Sequence, residues 1–284
     1  MGVWDGEDSN RLPARRRRTR SSAFKLRVRT AALIAFVAAL YLTPTVFERD
    51  ILPDVLPYLP GSNVPVRGVD AADAPLGAPP PSTGSSQYAL YSYPDLAQAF
   101  VAYDPCRPVH YVVRPDNAPA GTEGLIEEAV AEISAATGLQ FVYSGSTAEP
   151  PSEGARDPYQ PELYGERWAP ILITWTNPTE IPALEGAVAG FGGSQIAQRP
   201  GKPVVYVAGQ AMLDAPDLAT TLLFPGGRDQ VRAIIVHELA HVVGLDHVDD
   251  PNELMYERSV RTSLGDGDRA GLAILGTGQC VPEL

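Results

Sequence analysis

The alternation of apolar and polar positions predicts most of the regular structure in the last two thirds of the chain. Apolar residues recur at helical spacing over residues 124–136 and again over residues 231–243, so both stretches are predicted helices. Gly138 follows the first of them, where a glycine favours a helix end. Short apolar runs predict strands at residues 109–113, 140–143, 171–175, 187–191 and 204–207. The pattern therefore predicts a mixed α/β (α+β) domain.

The second predicted helix carries a cluster of histidines. Three of the four histidines in the chain are His237, His241 and His247. On a helix His237 and His241 lie about one turn apart on one face, so both can bind one ion at about 2.0–2.1 Å. Gly244 allows the helix to end and the chain to turn, which can return His247 as a third ligand. Three protein ligands leave a fourth position open, as in catalytic rather than structural zinc sites.

Glu238 is the candidate catalytic residue beside this cluster. It adjoins the first histidine, so its carboxylate can take a proton from a zinc-activated water that attacks a carbonyl group. The alternative is an amphipathic core helix with incidental histidines. Gly244 and His247 at their positions disfavour that alternative.

Residues 237–247 read H-E-x-x-H-x-x-G-x-x-H and resemble the active-site helix of the metzincin zinc peptidases, most closely that of matrixins. Leu254-Met255-Tyr256 resembles the methionine turn of that family, although Met255 could also be an ordinary core residue. Residues 264–275 resemble the last matrixin helix. The resemblance implies a zincin-type catalytic domain with a twisted mixed sheet, an active-site helix and a C-terminal helix. It also implies hydrolysis of peptide bonds in proteins or peptides.

The chain departs from the matrixin pattern at several positions. Glu257 stands where matrixins usually have proline, and Val248 stands where they usually have serine. Only His110 remains for a second, structural zinc, and the propeptide cysteine motif is missing. We therefore expect one catalytic Zn²⁺. Ca²⁺ is a further possible ligand of the protein, but no specific motif in the sequence indicates a calcium site.

Charge divides the chain into a basic start and an acidic body. The first 30 residues carry nine basic and three acidic side chains, a net charge of +6. Because the whole chain has a net charge of −12, residues 30–284 carry −18. The acidic body argues against nucleic-acid binding. A zinc deaminase is also excluded, because its P-C-x-x-C pattern is absent.

The basic start precedes an apolar segment. Residues 31–42 are uninterruptedly apolar, and a weaker extension to residue 47 just reaches the lower limit for a bilayer-spanning helix. We expect residues 1–30 to be a cytoplasmic tail and residues 31–47 a signal anchor, with a cleaved signal peptide as the alternative. The expected location is the cell membrane, single-pass with the catalytic domain outside, or secretion after cleavage. The membrane is thus an expected partner.

The remaining chain divides by composition. Residues 48–87 are rich in Pro, Gly and Ser and are expected to be a linker, with a propeptide as the alternative, and residues 88–284 are the expected peptidase domain. Cys106 and Cys280 are expected to form a disulfide. The alternative is a Cys106 thiolate that blocks the zinc. His110, on a predicted strand, is expected to be hydrogen-bonded rather than part of a site.

Residues 186–193 are rich in small side chains and carry two hypotheses. They could form an edge strand that pairs with a substrate backbone, or a glycine-rich loop or bulge. The function predicted for the whole chain is a zinc endopeptidase with a protein or peptide substrate. The alternative is a non-catalytic zinc-binding surface protein that acts in adhesion or assembly.

Overall fold

The structure, a computed structural model, describes residues 22–59 and 61–284. The chain divides at Ile51 into two compact units. The first unit contains the helix α1 (Ser22–Leu42), a single helical turn α2 (Pro44–Val46) and a π-helical turn (Phe47–Ile51). Most of the predicted basic tail lies outside the described residues.

The predicted signal anchor is corrected by these elements. Among the helices of the described residues, none combines the length and apolar character needed to cross a bilayer. The first half of α1 carries Lys25, Arg27 and Arg29, and Pro44 follows its end. The apolar run of residues 31–42 rises only about 18 Å as a helix, against a bilayer core of roughly 30 Å. The prediction of a single-pass membrane protein is therefore wrong, and the described residues give no support to the membrane as a partner.

The second unit begins with short turns and an extended segment. These turns are α3 (Leu52–Val55) and a 3₁₀ turn (Leu56–Tyr58). Further along, the amide of Leu76 donates to Pro105 O at 2.9 Å, and Thr83 Oγ1 donates to Asp266 O at 2.7 Å. The proline-rich segment thus makes fixed contacts, while its role as a linker and the boundary at residue 88 stay predictions.

A five-stranded mixed sheet organises the second unit. Its strands stand in the order β3-β2-β4-β6-β5, and all neighbours are parallel except the antiparallel pair of β5 and β6. A separate two-stranded ribbon pairs β1 with β7. In chain order the elements are β1 (Ala89–Leu90), β2 (Val109–Arg114), α4 (Leu125–Thr137), β3 (Phe141–Ser146), α5 (Pro161–Tyr164), β4 (Ile171–Thr176), a 3₁₀ turn (Pro182–Leu184), β5 (Gly190–Ala197), β6 (Val205–Asp214), α6 (Ala215–Thr221), α7 (Gly227–Val243), β7 (Leu245–Asp246) and α8 (Asp266–Leu275).

The predicted strand–helix–strands–helix order is present, with shifted boundaries. The strand predicted at residues 187–191 begins only at Gly190, because residues 185–187 form a turn. Strand β6 is ten residues long, where only four were predicted, and α6 was not predicted. Helix α7 begins four residues before Val231, at Gly227.

The core lies between the sheet and the two long helices α4 and α7. Every residue of β4 is buried, which explains why its sequence is an apolar run rather than an alternation. Ile133 of α4 and Leu239 of α7 are buried in the same cluster as Ile173 of β4 and Leu213 of β6. Helix α4 ends at Gly138, whose φ of 77° is the left-handed conformation that glycine accepts. The sequence prediction for this end is confirmed.

The expected disulfide is present between Cys106 and Cys280, with Cα atoms 5.3 Å apart. Both cysteines are bonded, so Cys106 offers no free thiolate to block a metal. Asp104 reinforces the same junction, since its carboxylate accepts from the amides of Cys106 at 2.8 Å and Val281 at 3.0 Å. The disulfide therefore ties the last residues of the chain to the segment before β2.

We predict that the double variant Cys106→Ser/Cys280→Ser is folded but less stable. The bond closes a loop of 174 residues, for which loop-closure entropy gives up to about 5 kcal/mol. Each kcal/mol lowers the melting temperature of a unit of this size by about 2–4 °C. Calorimetry of the variant, compared with the reduced wild-type protein, measures the effect. Equal melting temperatures for variant and oxidised wild type would contradict it.

Candidate metal centre

Helix α7 and the turn after it bring the three predicted histidines together. His237 and His241 lie one turn apart on α7, and the helix ends at Gly244 with a φ of 119°. A side chain at Gly244 would also meet the ring of Tyr206 at 3.0 Å, so both backbone conformation and space require glycine there. The chain then passes through β7 and places His247 beside the other two.

The three Nε2 atoms form a nearly equilateral triangle. His241 Nε2 lies 3.1 Å from His237 Nε2 and 3.1 Å from His247 Nε2, and the third side is 3.2 Å. Tetrahedral zinc at 2.0–2.1 Å from each nitrogen requires nitrogens about 3.3–3.4 Å apart. Three imidazole nitrogens at this spacing fit such an ion with shifts of a few tenths of an ångström.

Hydrogen bonds fix the tautomers of two of the histidines. His237 Nδ1 lies 2.9 Å from Leu254 O, and His241 Nδ1 lies 2.8 Å from Leu245 O. A carbonyl oxygen only accepts, so each Nδ1 carries the proton and each Nε2 presents a lone pair. Burial lowers the pKa of His237 to about 4 and that of His241 to about 3, so both rings are neutral near pH 7.

Glu238 is buried between α7 and β5. Its side chain is only 6% exposed, and burial raises its pKa to about 8. A Cβ at Gly190 would lie 2.9 Å from Glu238 Cγ, and a Cβ at Gly192 would lie 2.0 Å from Glu238 O. The two glycines therefore let the strand lie directly against the helix. A cation held by the histidines would favour the ionised carboxylate.

A cleft of about 800 Å³ opens beside the histidines and Glu238. Its lining includes residues of α7, of the segment before and within β5, and of the segment around Met255: Ala187, Val188, Ala189, Gly190, Phe191, Gly192, Gln230, Ala233, Ile234, Leu254, Tyr256, Glu257, Arg258 and Ser259. One side of the cleft is thus the start of an edge strand, and the other is a polar wall.

Strand β5 offers hydrogen-bonding groups at its outer edge. Among the described residues it pairs only with β6. The amide of Asp214 donates to Ala189 O at 2.9 Å, so Ala189 turns its polar groups toward β6. Because antiparallel pairing alternates, Gly190 and Gly192 turn their N–H and C=O groups to the free edge. The edge-strand hypothesis for residues 186–193 gains this geometric support for residues 190–193.

A turn below the histidines contains Met255, which is buried in the core. The carboxylate of Asp268 accepts from the amides of Leu254 at 2.6 Å and Met255 at 3.2 Å. In return, Glu253 accepts from the amides of Gly267 at 3.0 Å and Asp268 at 2.9 Å, at the start of α8. The two buried carboxylates thus fix the carbonyl that holds His237. The sequence indicated only a helix at residues 264–275, and the roles of both carboxylates were missed.

Tyr91 is a third contributor that sequence reasoning missed. Its amide donates to Gly244 O at 3.0 Å, and β1 just before it pairs with β7 just before His247. Its hydroxyl oxygen lies 3.1 Å from His241 Nδ1 and is a second acceptor for that proton. The segment that precedes the main sheet therefore contacts His241 through the Tyr91 hydroxyl and helps to position His247 through the pairing of β1 with β7. No motif in the sequence marks this tyrosine.

His110 lies apart from this centre, as predicted. Its Nδ1 is 2.9 Å from Ser144 Oγ, and its Nε2 is 3.5 Å from an oxygen of Asp70. His110, Asp70 and Arg167 line a small cavity of about 60 Å³. Burial lowers the pKa of His110.

We predict that Tyr91→Phe weakens zinc binding about tenfold, as loss of a hydrogen bond to a ligating histidine typically does. Phenylalanine keeps the ring stacked on His241 and removes only the hydroxyl. Tyr93→Phe is the matched control, because the Tyr93 hydroxyl contacts Tyr206 at 3.2 Å rather than a histidine of the cluster. Competition with a chromogenic chelator measures both affinities. Equal affinities in the two variants would rule out the role of Tyr91.

We predict that Asp268→Asn destabilises the protein by about 3 kcal/mol, because three backbone amides lose a charged acceptor. Asp266→Asn, at the exposed first position of α8, should cost less than about 1 kcal/mol. Urea unfolding of both variants measures the difference. Similar midpoints would show that the turn is held by other contacts.

Comparison with protein-family models finds no matching family, and comparison with curated proteins finds no match. Among solved structures, the chain is similar to the crystal structure of archaemetzincin from Methanopyrus kandleri, with 18% sequence identity and a TM-score of 0.32. The alignment covers 61% of this chain and 89% of that chain. The centre described above is therefore interpreted from its own geometry.

Proposed function

We propose that the protein is a zinc-dependent endopeptidase. His237, His241 and His247 would hold the ion, and Glu238 would act as the general base. The observation that carries this proposal is the convergence of three Nε2 atoms, 3.1–3.2 Å apart, beside a buried carboxylate in an open cleft. No role in this proposal falls to calcium or to a nucleic acid.

The chemistry expected of the centre follows from these residues. When bound, zinc supplies Lewis-acid polarisation of a carbonyl group and lowers the pKa of water to about 7. The carboxylate of Glu238 takes one proton from the attacking water, whose oxygen bonds to the carbonyl carbon. Glu238 then gives that proton to the leaving nitrogen as the C–N bond breaks. The second proton of the water also reaches that nitrogen, so the products are a carboxylate and a protonated amine, and Glu238 returns to its ionised form.

The edge of β5 supports a peptide as the substrate. Gly190 and Gly192 turn backbone donors and acceptors outward, which is what an added strand requires. The strand continues to Ala197, so an extended chain can pair beyond the residues next to Glu238. An open strand edge of this length favours cleavage within a chain over removal of single terminal residues.

The turn at Leu254–Tyr256 supports the finer proposal of a matrixin-like metzincin. Met255 is buried below the histidines, and Leu254 O accepts from the first of them. The wall after this turn differs from the usual matrixin form, since Glu257 and Arg258 line the cleft. A polar wall at this place would change the side-chain preference without changing the bond-breaking step.

We predict that Glu238→Gln lowers kcat/KM about 10²–10⁴-fold while zinc stays bound, because glutamine cannot take the proton. Glu132→Gln is the control, since Glu132 pairs with Arg232 of α7 on the helix's other side from the cleft. Quenched peptide libraries and metal analysis measure activity and occupancy. The wild-type activity should disappear with chelator and return with zinc.

One result would decide for a non-catalytic protein. If the wild type binds one zinc per chain and cleaves no peptide in the library, the endopeptidase proposal fails. Binding in adhesion or assembly would then be the remaining explanation of the centre. Cleavage that survives in Glu238→Gln would instead contradict the role of that residue alone.

A further inference from the structure

A second hollow lies on the opposite face of β5 from α7. It encloses about 300 Å³. Its floor includes Phe191, Gly193 and Gln195 of β5 and Gln210 of β6, and its wall comes from residues 153–156. Gly190 and Gly192 face α7, so the residues between and after them face the other way. The cleft and this hollow thus flank the same edge strand and share Phe191 and Gly192 in their linings.

The floor of the hollow is bare at Gly193. A Cβ built there would meet no atom within 4 Å, and the backbone has no positive φ that would demand glycine. The missing side chain leaves room above the sheet next to the free edge of β5. A side chain from a neighbouring strand can therefore lie across β5 at this point.

The two charged side chains of the wall, Arg156 and Glu153, differ in how many of their hydrogen-bonding groups have partners. Arg156 is only 4% exposed, and its guanidinium donates twice to Glu149, at 2.7 Å each, and once each to Pro170 O and Gly209 O. Its positive charge is therefore already matched. Glu153 is exposed and its Oε1 accepts from the Ala183 amide at 2.8 Å. In the part of the chain that the structure describes, Oε2 of Glu153 accepts no hydrogen bond.

The floor adds a second acceptor without a partner. Gln210 Nε2 donates to Ser152 O at 2.9 Å, whereas its Oε1 is buried and has no hydrogen-bond partner among the described residues. Buried acceptors normally have a donor. Glu153 Oε2 and Gln210 Oε1 are both acceptors without a partner among the described residues, and Glu153 carries a negative charge, so the complementary ligand group is a donor with positive charge.

We propose that this hollow selects a lysine or arginine side chain of the substrate. The inference rests on the proposed peptidase function. In an antiparallel strand added to β5, the residue opposite Gly192 points to the cleft, and the residue opposite Gly193 points to the hollow. Its long side chain would lie over Gly193, with the charged end near Glu153 Oε2.

The net negative charge of the protein also favours a cationic substrate. Residues 30–284 carry a net −18, and such a field attracts cationic segments at long range. The cleft itself is lined by Glu238, Asp246 and Glu257 against the single cation Arg258. A cationic peptide is thus favoured both on approach and at the hollow.

The test uses the zinc-loaded full chain and quenched peptides in which one position at a time is lysine, norleucine or glutamate. Norleucine keeps the apolar length of lysine without its charge. We expect one position at which lysine gives a kcat/KM about fivefold above norleucine, as for a partly exposed ion pair. Glu153→Gln should abolish that ratio, and Glu153→Lys should shift the preference at the same position to glutamate.

Two further variants complete the design. Glu162→Gln removes an exposed carboxylate of the nearby helix α5 that does not line the hollow, and it should keep the lysine ratio. Gly193→Ile fills the floor and should lower the ratio while the fold is kept. Peptide cleavage without any lysine preference, or an equal ratio in Glu153→Gln and Glu162→Gln, would overturn this inference alone. Absence of all cleavage would overturn the peptidase function and this inference with it.

Discussion

The direct contact between β5 and α7 is the constraint on which the rest of the site depends. A Cβ at Gly192 would lie 2.0 Å from Glu238 O, so no other residue allows the strand to approach the helix this closely. The approach buries the Glu238 side chain and raises its pKa to about 8. It also places the free edge of β5 next to the histidines. Gly190 and Gly192 therefore determine both the environment of the Glu238 carboxylate and the position of the strand edge proposed to bind the substrate.

The histidine triangle depends on contacts far from it in the chain. Leu254 O and Leu245 O orient two of the rings, and Asp268 in turn holds the amides of the turn that contains Leu254. Tyr91 binds the backbone of Gly244, where α7 ends. Pre-set nitrogens bind a metal ion with less rearrangement than nitrogens that must be gathered. The position of each ligand is thus shared between α7, α8 and the segment that precedes the sheet.

What the sequence could predict was local. Helical spacing places His237 and His241 on one face, and Gly244 explains the return of His247, because both follow from backbone geometry over a few residues. Tyr91 is 150 residues from His241, and nothing in its surroundings signals that contact. The apolar run of residues 31–42 led to the wrong prediction of a membrane-spanning helix. The charged residues before it and Pro44 after it leave an apolar helix too short to cross a bilayer. The strand predicted from residue 187 begins only at Gly190, because small side chains are compatible with turns and strands alike.

The segment from Ser146 to Pro170 shows how a stretch without regular pattern acquires a fixed form. No helix or strand was predicted for it, yet Arg156 and Glu149 are buried as an ion pair, and Tyr164 and Gln160 also donate to Glu149. A buried pair is tolerated when its remaining hydrogen bonds are made, and Pro170 O and Gly209 O make them. Because Arg156 is bonded to the backbone of β6, the wall that carries Glu153 has a defined position beside β5. A carboxylate that selects charged substrate side chains at a strand edge requires such a fixed wall. If the carboxylate were mobile, the entropy lost in ordering it would offset the attraction between the charges.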